Sequence, residues 1–207
     1  MACTTKDLYK SVKKCPGARI APGIKPRVFF ILKSQILTWP TLPAADDKTT
    51  DPAKLAQYTG DFTLASDAKW HSLDLVDAKS NFTAETQGEA PSATFLNKGE
   101  FVVGGTDEDI SGFATMAIND ELIMMVQDRK GRARLIGCEA FAPKITVSQA
   151  SGSGVTDACT TTVNTEATDF CPTPFYPGKI ETESGDISGA DGSVWERHKR
   201  SFAQIFA

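Results

Sequence analysis

Hydrophobic and polar residues alternate over many short stretches of this chain, and the alternation predicts a protein built from β-strands. Residues 61–66, 69–77, 81–87 and 93–96 each alternate in part, as half-buried antiparallel strands do. Residues 27–37 (RVFFILKSQIL) form the most apolar stretch and are rich in β-branched and aromatic side chains, so they are predicted to be a buried strand. The pattern favours an all-β fold.

The middle of the chain predicts three consecutive strands. Residues 101–105 (FVVGG) end in a double glycine, which suggests a strand that breaks before an acidic loop. The segments FATMAI, ELIMMVQD and RARLIGCEAF follow, separated by the turn residues Asn119-Asp120 and Arg129-Lys130-Gly131. This arrangement predicts a three-stranded meander.

Two further strands are predicted towards the end, at residues 144–149 and 159–166. The second of them (CTTTVNTE) alternates Thr with Val, which suits the edge of a sheet or the wall of a barrel. An acidic, Gly-rich loop is predicted over residues 181–192.

Less regular segments divide the chain into three parts. The first part, residues 1–26, combines a short helix predicted over residues 4–14 with an extended arm interrupted by Pro22, Gly23 and Pro26. The second, residues 27–180, is a β-rich core whose long polar loop, residues 41–58, carries one helical turn after Asp51-Pro52. The third, residues 181–207, is an acidic extension that ends in a short helix.

Charge is distributed unevenly along the 207 residues. Residues 1–33 hold eight basic side chains and one acidic (+7), whereas the other 174 residues hold 14 basic and 25 acidic (−11). A basic segment on an acidic body could bind nucleic acid or lie against a neighbouring copy of the chain. We favour self-association, because phosphate binding requires clustered Lys and Arg. Uneven but ordinary surface charge is an equally simple interpretation.

Composition excludes collagen-like, disulfide-knot and wholly disordered proteins, since 41% of the residues are hydrophobic and 23% are charged. No stretch approaches the roughly 20 apolar residues of a membrane-spanning helix, and the charged start does not resemble a signal peptide. The chain is therefore expected to be an intracellular product with no membrane partner. Its five widely spaced cysteines are expected to be reduced thiols without a zinc site.

Motifs for catalysis and metal binding are weak. GSGVTD at residues 152–157 lacks the third glycine of a dinucleotide fingerprint and is interpreted as a loop. His71 is interpreted as a core or edge histidine rather than a general base. The acidic clusters at residues 107–109 and 186–191 lack the oxygen spacing of a calcium loop. The prediction is a protein that is not an enzyme, with no cofactor and no metal.

Several stretches together carry a family resemblance. The proline-rich opening CPGARIAPGIKPRVFFI, the middle GEAPSATFLNKGEFVV, the segment VQDRKGRARLIGC and the late TTTVNTEATDFCPTPFYPGKI resemble the major tail tube proteins of tailed bacteriophages, particularly those of Bacteroidetes-type hosts. The resemblance covers most of residues 15–180. It implies a β-sandwich or half-open barrel with a flanking short helix.

The resemblance also implies a structural virion protein that is made in the host cytoplasm and located in the virion tail. Such subunits form rings, commonly hexameric, which stack head to tail, contact other tail proteins and conduct double-stranded DNA during ejection. An acidic lumen would repel DNA phosphates, and Asp107, Glu108 and Asp109 are the lumen candidates. The candidates for contacts between subunits are Arg19, Lys25, Arg27, Trp39, Asp46, Asp47 and Tyr58.

Other functions remain open from sequence. A capsid decoration or neck protein would share the same features. A carbohydrate-binding β-sandwich would also be acidic and rich in Thr, with Trp39, Trp70 and Trp195 as platforms for sugar stacking.

Overall fold

The structure is a computed structural model that describes residues 11–13, 16–17, 19–44 and 51–195. Two α-helices and thirteen strands lie in these ranges. The helices are α1 (Pro52–Leu55) and α2 (Glu108–Ala117), and a 3₁₀ turn spans Lys33–Gln35. The strands are β1 (Ile24–Leu32), β2 (Ile36–Thr38), β3 (Thr63–Leu64), β4 (His71–Asp74), β5 (Asn81–Gln87), β6 (Thr94–Gly104), β7 (Leu122–Asp128), β8 (Ala133–Ile136), β9 (Lys144–Ala150), β10 (Thr160–Asp169), β11 (Phe175–Tyr176), β12 (Lys179–Thr182) and β13 (Gly185–Ser188).

Two antiparallel sheets face each other, so the predicted all-β fold is confirmed as a sandwich. A five-stranded sheet has the order β11-β8-β7-β1-β4, and a four-stranded sheet has the order β5-β6-β10-β9. Within the described ranges neither sheet closes into a barrel. Two small hairpins, β2–β3 and β12–β13, complete the strands.

The five-stranded sheet is buried on both faces. Along β7 the side chains of Met124 and Val126 enter the core between the two sheets, whereas Ile123 and Met125 enter a second core on the opposite face. The second core is covered by the segment from β2 to Trp70 and by the β12–β13 hairpin. All six residues from Leu122 to Gln127 are consequently buried, which is why the first five residues of this strand are apolar.

The four-stranded sheet, in contrast, buries only one face. On β10 the odd-numbered residues Thr161, Val163, Thr165, Ala167 and Asp169 are buried against the other sheet. The even-numbered residues point away from the sandwich and are partly or fully exposed. The alternation predicted from the Thr-rich sequence is therefore the alternation of a half-buried strand.

Helix α2 corrects one prediction. Residues 113–118 (FATMAI) are predicted to form the first strand of a meander, but residues 113–117 are the second half of this helix and Ile118 is its C-cap. Ile110, Phe113 and Ala117 recur at helical spacing; Ile110 is buried, and Phe113 and Ala117 pack into the core between the sheets. The meander therefore has two strands, β7 and β8.

Three other predictions also change. Strand β10 lies between β6 and β9 and is not a sheet edge. The strands predicted over residues 93–96 and 101–105 are the two ends of one long strand, β6 (Thr94–Gly104). The predicted acidic loop at residues 181–192 includes most of the β12–β13 hairpin.

The predicted boundaries of the three parts fall inside strands. Residues 26 and 27 both belong to β1, and residues 180 and 181 both belong to β12. The apolar strand predicted over residues 27–37 starts earlier, at Ile24, and is interrupted by the 3₁₀ turn. The single helical turn expected after Asp51-Pro52 is present as α1, capped by the Asp51 side chain.

Both predicted terminal helices lie largely outside the described residues. Of the first, residues 11–13 are described and are not helical. In the described part of the chain, no helix is both long enough and apolar enough to cross a membrane.

Candidate assembly surface

The outward face of the four-stranded sheet, here called the open face, is a regular polar surface formed by β5, β6, β10 and β9. On this face, small hydroxyl and amide side chains of neighbouring strands lie opposite one another, for example Thr162 opposite Ser148, and Asn164 opposite Thr146. Gln87 donates from Nε2 to the hydroxyls of Thr94 and Thr168, at 3.2 and 2.8 Å. The remaining members on β5 and β6 are Asn81, Thr83, Glu85, Leu96, Lys98 and Glu100.

Charges on the open face nearly cancel. Lys98 donates from Nζ to the Glu85 carboxylate at 3.0 Å, and Lys144 lies directly opposite Glu166 in the ladder. Glu100 faces only amides, those of Asn81 and Asn164. Three acidic and two basic side chains therefore leave a slight negative excess on this face.

The two edge strands of this sheet are long and weakly protected. β5 and β9 each have seven residues, no proline, and one charged side chain, Glu85 and Lys144 respectively. Within the described part of the chain, their backbone groups bond only to β6 and β10. Natural proteins usually block such edges with prolines, several charges or a bulge, so an unblocked edge is suited to pairing with another chain.

The hydrogen-bond alternation identifies the outward groups. Just beyond the paired residues of β6 and β10, the Gly105 N–H donates to the Cys159 carbonyl at 3.0 Å. Because hydrogen-bonded pairs recur at every second residue of an antiparallel pair, the backbone groups of odd-numbered β10 residues bond to β6. Those of even-numbered β10 residues bond to β9. It follows that the amides pointing out of the sheet are those of alternate residues on each edge. They belong to Phe82, Ala84 and Thr86 on β5, and to Ile145, Val147 and Gln149 on β9.

The five-stranded sheet offers no comparable edge. Its outer strands have only two residues (β11) and four residues (β4). The Phe175 N–H and C=O are bonded to Ala56 and Tyr58, and the Trp70 N–H, next to β4, donates to the Glu181 carbonyl. Among the sheets of the described ranges, only the four-stranded one presents two long edges whose outward backbone groups have no described partner.

An even number of antiparallel strands gives those edges opposite directions. β5 and β10 run one way, and β6 and β9 run the other way. When identical copies are placed side by side by rotation, β9 of one copy therefore meets β5 of the next in antiparallel orientation. The sheet can continue from copy to copy without changing its pairing mode.

A second feature is an aromatic pocket at one end of the sandwich, with a volume of about 270 Å³. Its walls include Trp39, Leu42, Tyr58 and Phe170, and its two carboxylates are Glu139 and Asp169. Among the described residues, no basic side chain lines it. The Tyr58 pKa is raised above its ordinary value by burial.

Asp169 is an unusual member of this pocket because its side chain is almost completely buried, with 1% exposure. Oδ1 accepts the Phe170 N–H at 2.6 Å, but Oδ2 has no hydrogen-bond partner. Burial raises the pKa of this carboxyl to about 6, so it is mostly ionised at pH 7. The pocket thus contains a buried negative charge, and none of the described residues that line it supplies a cation.

The contact residues predicted from sequence fall into two groups at opposite ends of β1. At its start, Arg19 is exposed, Lys25 is half-buried, and Arg27 donates from Nε to Asp74 at 2.8 Å. At the other end, Trp39 is half-buried, with its ring edge-on to Phe62. Tyr58 is 5% exposed and belongs to the second core, and it also lines the aromatic pocket.

The predicted lumen residues are not on the open face. Asp107, Glu108 and Asp109 are exposed, but they form the N-cap and first turn of α2, beyond the end of β6. Asp46 and Asp47 lie outside the described residues. The sequence analysis did not single out the two edge strands, although their low charge and lack of proline were visible in the sequence.

Other candidate chemistry is sparse. Trp70 is 1% exposed and cannot stack on a sugar, while Trp195 is 37% exposed. His71 is half-buried, and its Nδ1 lies 3.0 Å from Glu183 Oε1. Residues 152–157 form an exposed turn in which Asp157 accepts from Ser153. Among the described residues, no group of three or more His, Cys, Asp and Glu is arranged to hold a metal ion.

Comparisons of the chain with protein-family models, with curated proteins and with solved structures found no match.

Proposed function

We propose that this chain is a structural subunit that pairs edge to edge into rings, and that the rings stack into a tube resembling a phage tail tube, through which DNA passes. The observation that carries the proposal is the open face with its two free, oppositely directed seven-residue edges.

The strand directions permit a closed ring. Pairing of β9 with β5 of the next copy gives hydrogen-bond partners to the outward-pointing backbone groups of three residues on each edge. Rotation repeats the same contact around the ring. In a hexamer the four-stranded sheets would form a 24-stranded barrel. The open face then lines the bore, because the other face is covered by the five-stranded sheet.

The chemistry of the open face suits a conduit. DNA moves freely only past a wall that does not hold its phosphates, and binding depends on the number of phosphates neutralised by Lys and Arg. Both lysines of the face are matched by carboxylates, Glu85 and Glu166, and Glu100 adds a negative charge. Hydroxyl and amide groups provide the rest of the surface. The lining is therefore wettable and weakly repulsive.

The test uses one edge residue. Ala84→Pro removes an outward N–H from an exposed position on β5, and proline is tolerated at that kind of edge site. Ala84→Val keeps the N–H and favours a strand. We expect the wild-type chain and Ala84→Val to form rings in negative-stain electron microscopy and sedimentation velocity, whereas Ala84→Pro stays monomeric.

Circular dichroism and thermal unfolding of the Ala84→Pro monomer check that its fold is intact. Rings formed equally well by Ala84→Pro, or a wild-type chain that is monomeric at every concentration tested, would contradict the proposal.

A further inference from the structure

The described basic arm and the aromatic pocket lie at opposite ends of the sandwich. β1 starts at Ile24, opposite Asp128, and ends at Leu32, opposite Leu122. Pro22 and Gly23 enter at the first end, beside Arg129. Trp39 and Cys138, which border the pocket, follow strands that finish at the second end. At about 3.3 Å per residue, the eight steps of β1 separate the two ends by roughly 26 Å.

The arm has a composition that complements the pocket. Its described residues Val12 and Ile20 expose apolar side chains, with 98% and 75% exposure. Lys13 and Arg19 are exposed and basic. The pocket, in contrast, has aromatic walls and carries two carboxylates, with no basic residue in the described part of its lining. An apolar and basic segment thus has a matching apolar and acidic receptor on the same chain, about one subunit length away.

We propose that the aromatic pocket of one subunit binds the basic arm, residues 11–20, of a subunit in the adjacent ring, with a Lys or Arg side chain facing Glu139 and Asp169. This inference rests on the proposed function, because head-to-tail stacking is what brings the arm end of one copy to the pocket end of the next.

The physical reason for the contact is the unpaired charge of Asp169. A buried carboxylate without a cation is unfavourable, and a guanidinium or ammonium group arriving at the pocket offsets that cost. Arg also stacks favourably on aromatic rings, and the stem of Lys packs on apolar walls. Glu139 is exposed and attracts the arm before it docks.

The first test separates stacking from ring formation. Glu139→Lys and Arg19→Glu each reverse one charge, and Phe170→Ser removes an aromatic wall that is 65% exposed. We expect all three variants to form rings but few tubes, with mean tube length reduced at least fivefold. The double variant Glu139→Lys with Arg19→Glu should recover longer tubes, because the opposite charges face each other again.

Glu89→Lys is the matched control. Glu89 is exposed in the loop between β5 and β6, at the same end of the sandwich as the pocket, and its substitution makes the same charge change. Tube length should stay near the wild-type value. An equal loss with Glu89→Lys, or no loss with the three pocket and arm variants, would overturn the inference while leaving rings, and the proposed function, intact.

A second measurement does not depend on rings. A fluorescent peptide of residues 11–22 should bind the full chain, and Glu139→Lys should weaken the affinity at least fivefold by fluorescence anisotropy. Peptide binding without any ring formation would contradict the proposed function but keep the contact. Equal binding to the wild-type chain and to Glu139→Lys would exclude the pocket as the receptor.

Discussion

At the scale of single residues, Asp169 gives the molecule a specific pH dependence. Its pKa is about 6 in the folded chain, raised by burial from an ordinary value of 3.8. The folded state therefore binds a proton more readily than the unfolded state between these values, and stability falls as the pH rises through that window. The difference corresponds to about 3 kcal/mol.

We expect the contribution of Asp169 to the free energy of unfolding to be largest below pH 4 and to be lost by about pH 7. Asp169→Asn should remove this contribution to the slope of the free energy of unfolding against pH, since the amide does not titrate. Urea unfolding at pH 4.5, 5.5 and 7 measures both curves. Identical slopes for the wild-type chain and Asp169→Asn would show that the carboxyl is not the titrating group.

Asn97 is a small buried residue whose removal should lower the free energy of unfolding strongly. It is fully buried on β6, donates from Nδ2 to the Cys171 carbonyl and accepts the Thr173 N–H at Oδ1, both at 3.1 Å. Asn97→Ala leaves two buried backbone groups without partners, which should destabilise the fold by about 2–4 kcal/mol. Asn164→Ala, on the open face, should change stability by less than about 0.5 kcal/mol. Comparable unfolding midpoints for the two variants would refute this role.

At the scale of elements, the turn between β7 and β8 depends on a glycine. Gly131 has φ of +88°, and an added Cβ would overlap the Asp191 carbonyl, so this turn packs directly against the chain that follows β13. Gly131→Ala should therefore cost about 2 kcal/mol or more.

Gly112 is the matched control for that substitution. It lies inside α2 with no atom within 4 Å of an added Cβ, so Gly112→Ala should stabilise the fold by up to about 1 kcal/mol. Thermal unfolding of both variants should give shifts of opposite sign. A stabilising Gly131→Ala would mean that the turn and the Asp191 segment do not pack as described.

Local pattern was sufficient for elements whose periodicity is unambiguous. Residues 81–87 alternate in sequence, and β5 has those bounds. For residues 108–117 the local pattern was ambiguous, and the prediction was wrong. FATMAI is compatible with a strand by composition, but acidic residues precede apolar positions at spacings of three and four, which is the signal of a helix N-terminus. That signal was present in Asp107, Glu108 and Asp109 and was interpreted as a loop.

Sheet order could not be predicted from the sequence. Whether β10 is an edge or a central strand depends on which distant strands pair with it, here β6 and β9. The position of Tyr58 likewise depends on the segment that folds over the five-stranded sheet. For the same reason the candidate surface emerged only when the strand order was known, because an edge is a property of the whole sheet.

At the scale of the whole molecule, the charge of the open face determines whether the tube holds DNA. Glu100→Lys changes the face from one net negative charge to one net positive charge in every subunit. Assembled Glu100→Lys tubes should retain double-stranded DNA at 50 mM salt and release it at 200 mM, while wild-type tubes retain little at either concentration. Filter retention measures both.

Glu89→Lys tubes control for charge outside the open face and should behave as the wild type. Strong retention of DNA by wild-type tubes would contradict a lining that lets DNA pass.

The most direct measurement of edge pairing is amide hydrogen exchange, compared between the monomer and the assembled form. If β9 of one copy pairs with β5 of the next, each outward amide gains a hydrogen-bond acceptor. We therefore expect exchange to be at least a hundredfold slower after assembly for the amides of Phe82, Ala84, Thr86, Ile145, Val147 and Gln149. The amides of Asn81, Thr83 and Glu85 bond within the sheet and should be protected in both states. If these six amides exchange as fast in the assembled form as in the monomer, edge pairing between subunits is contradicted.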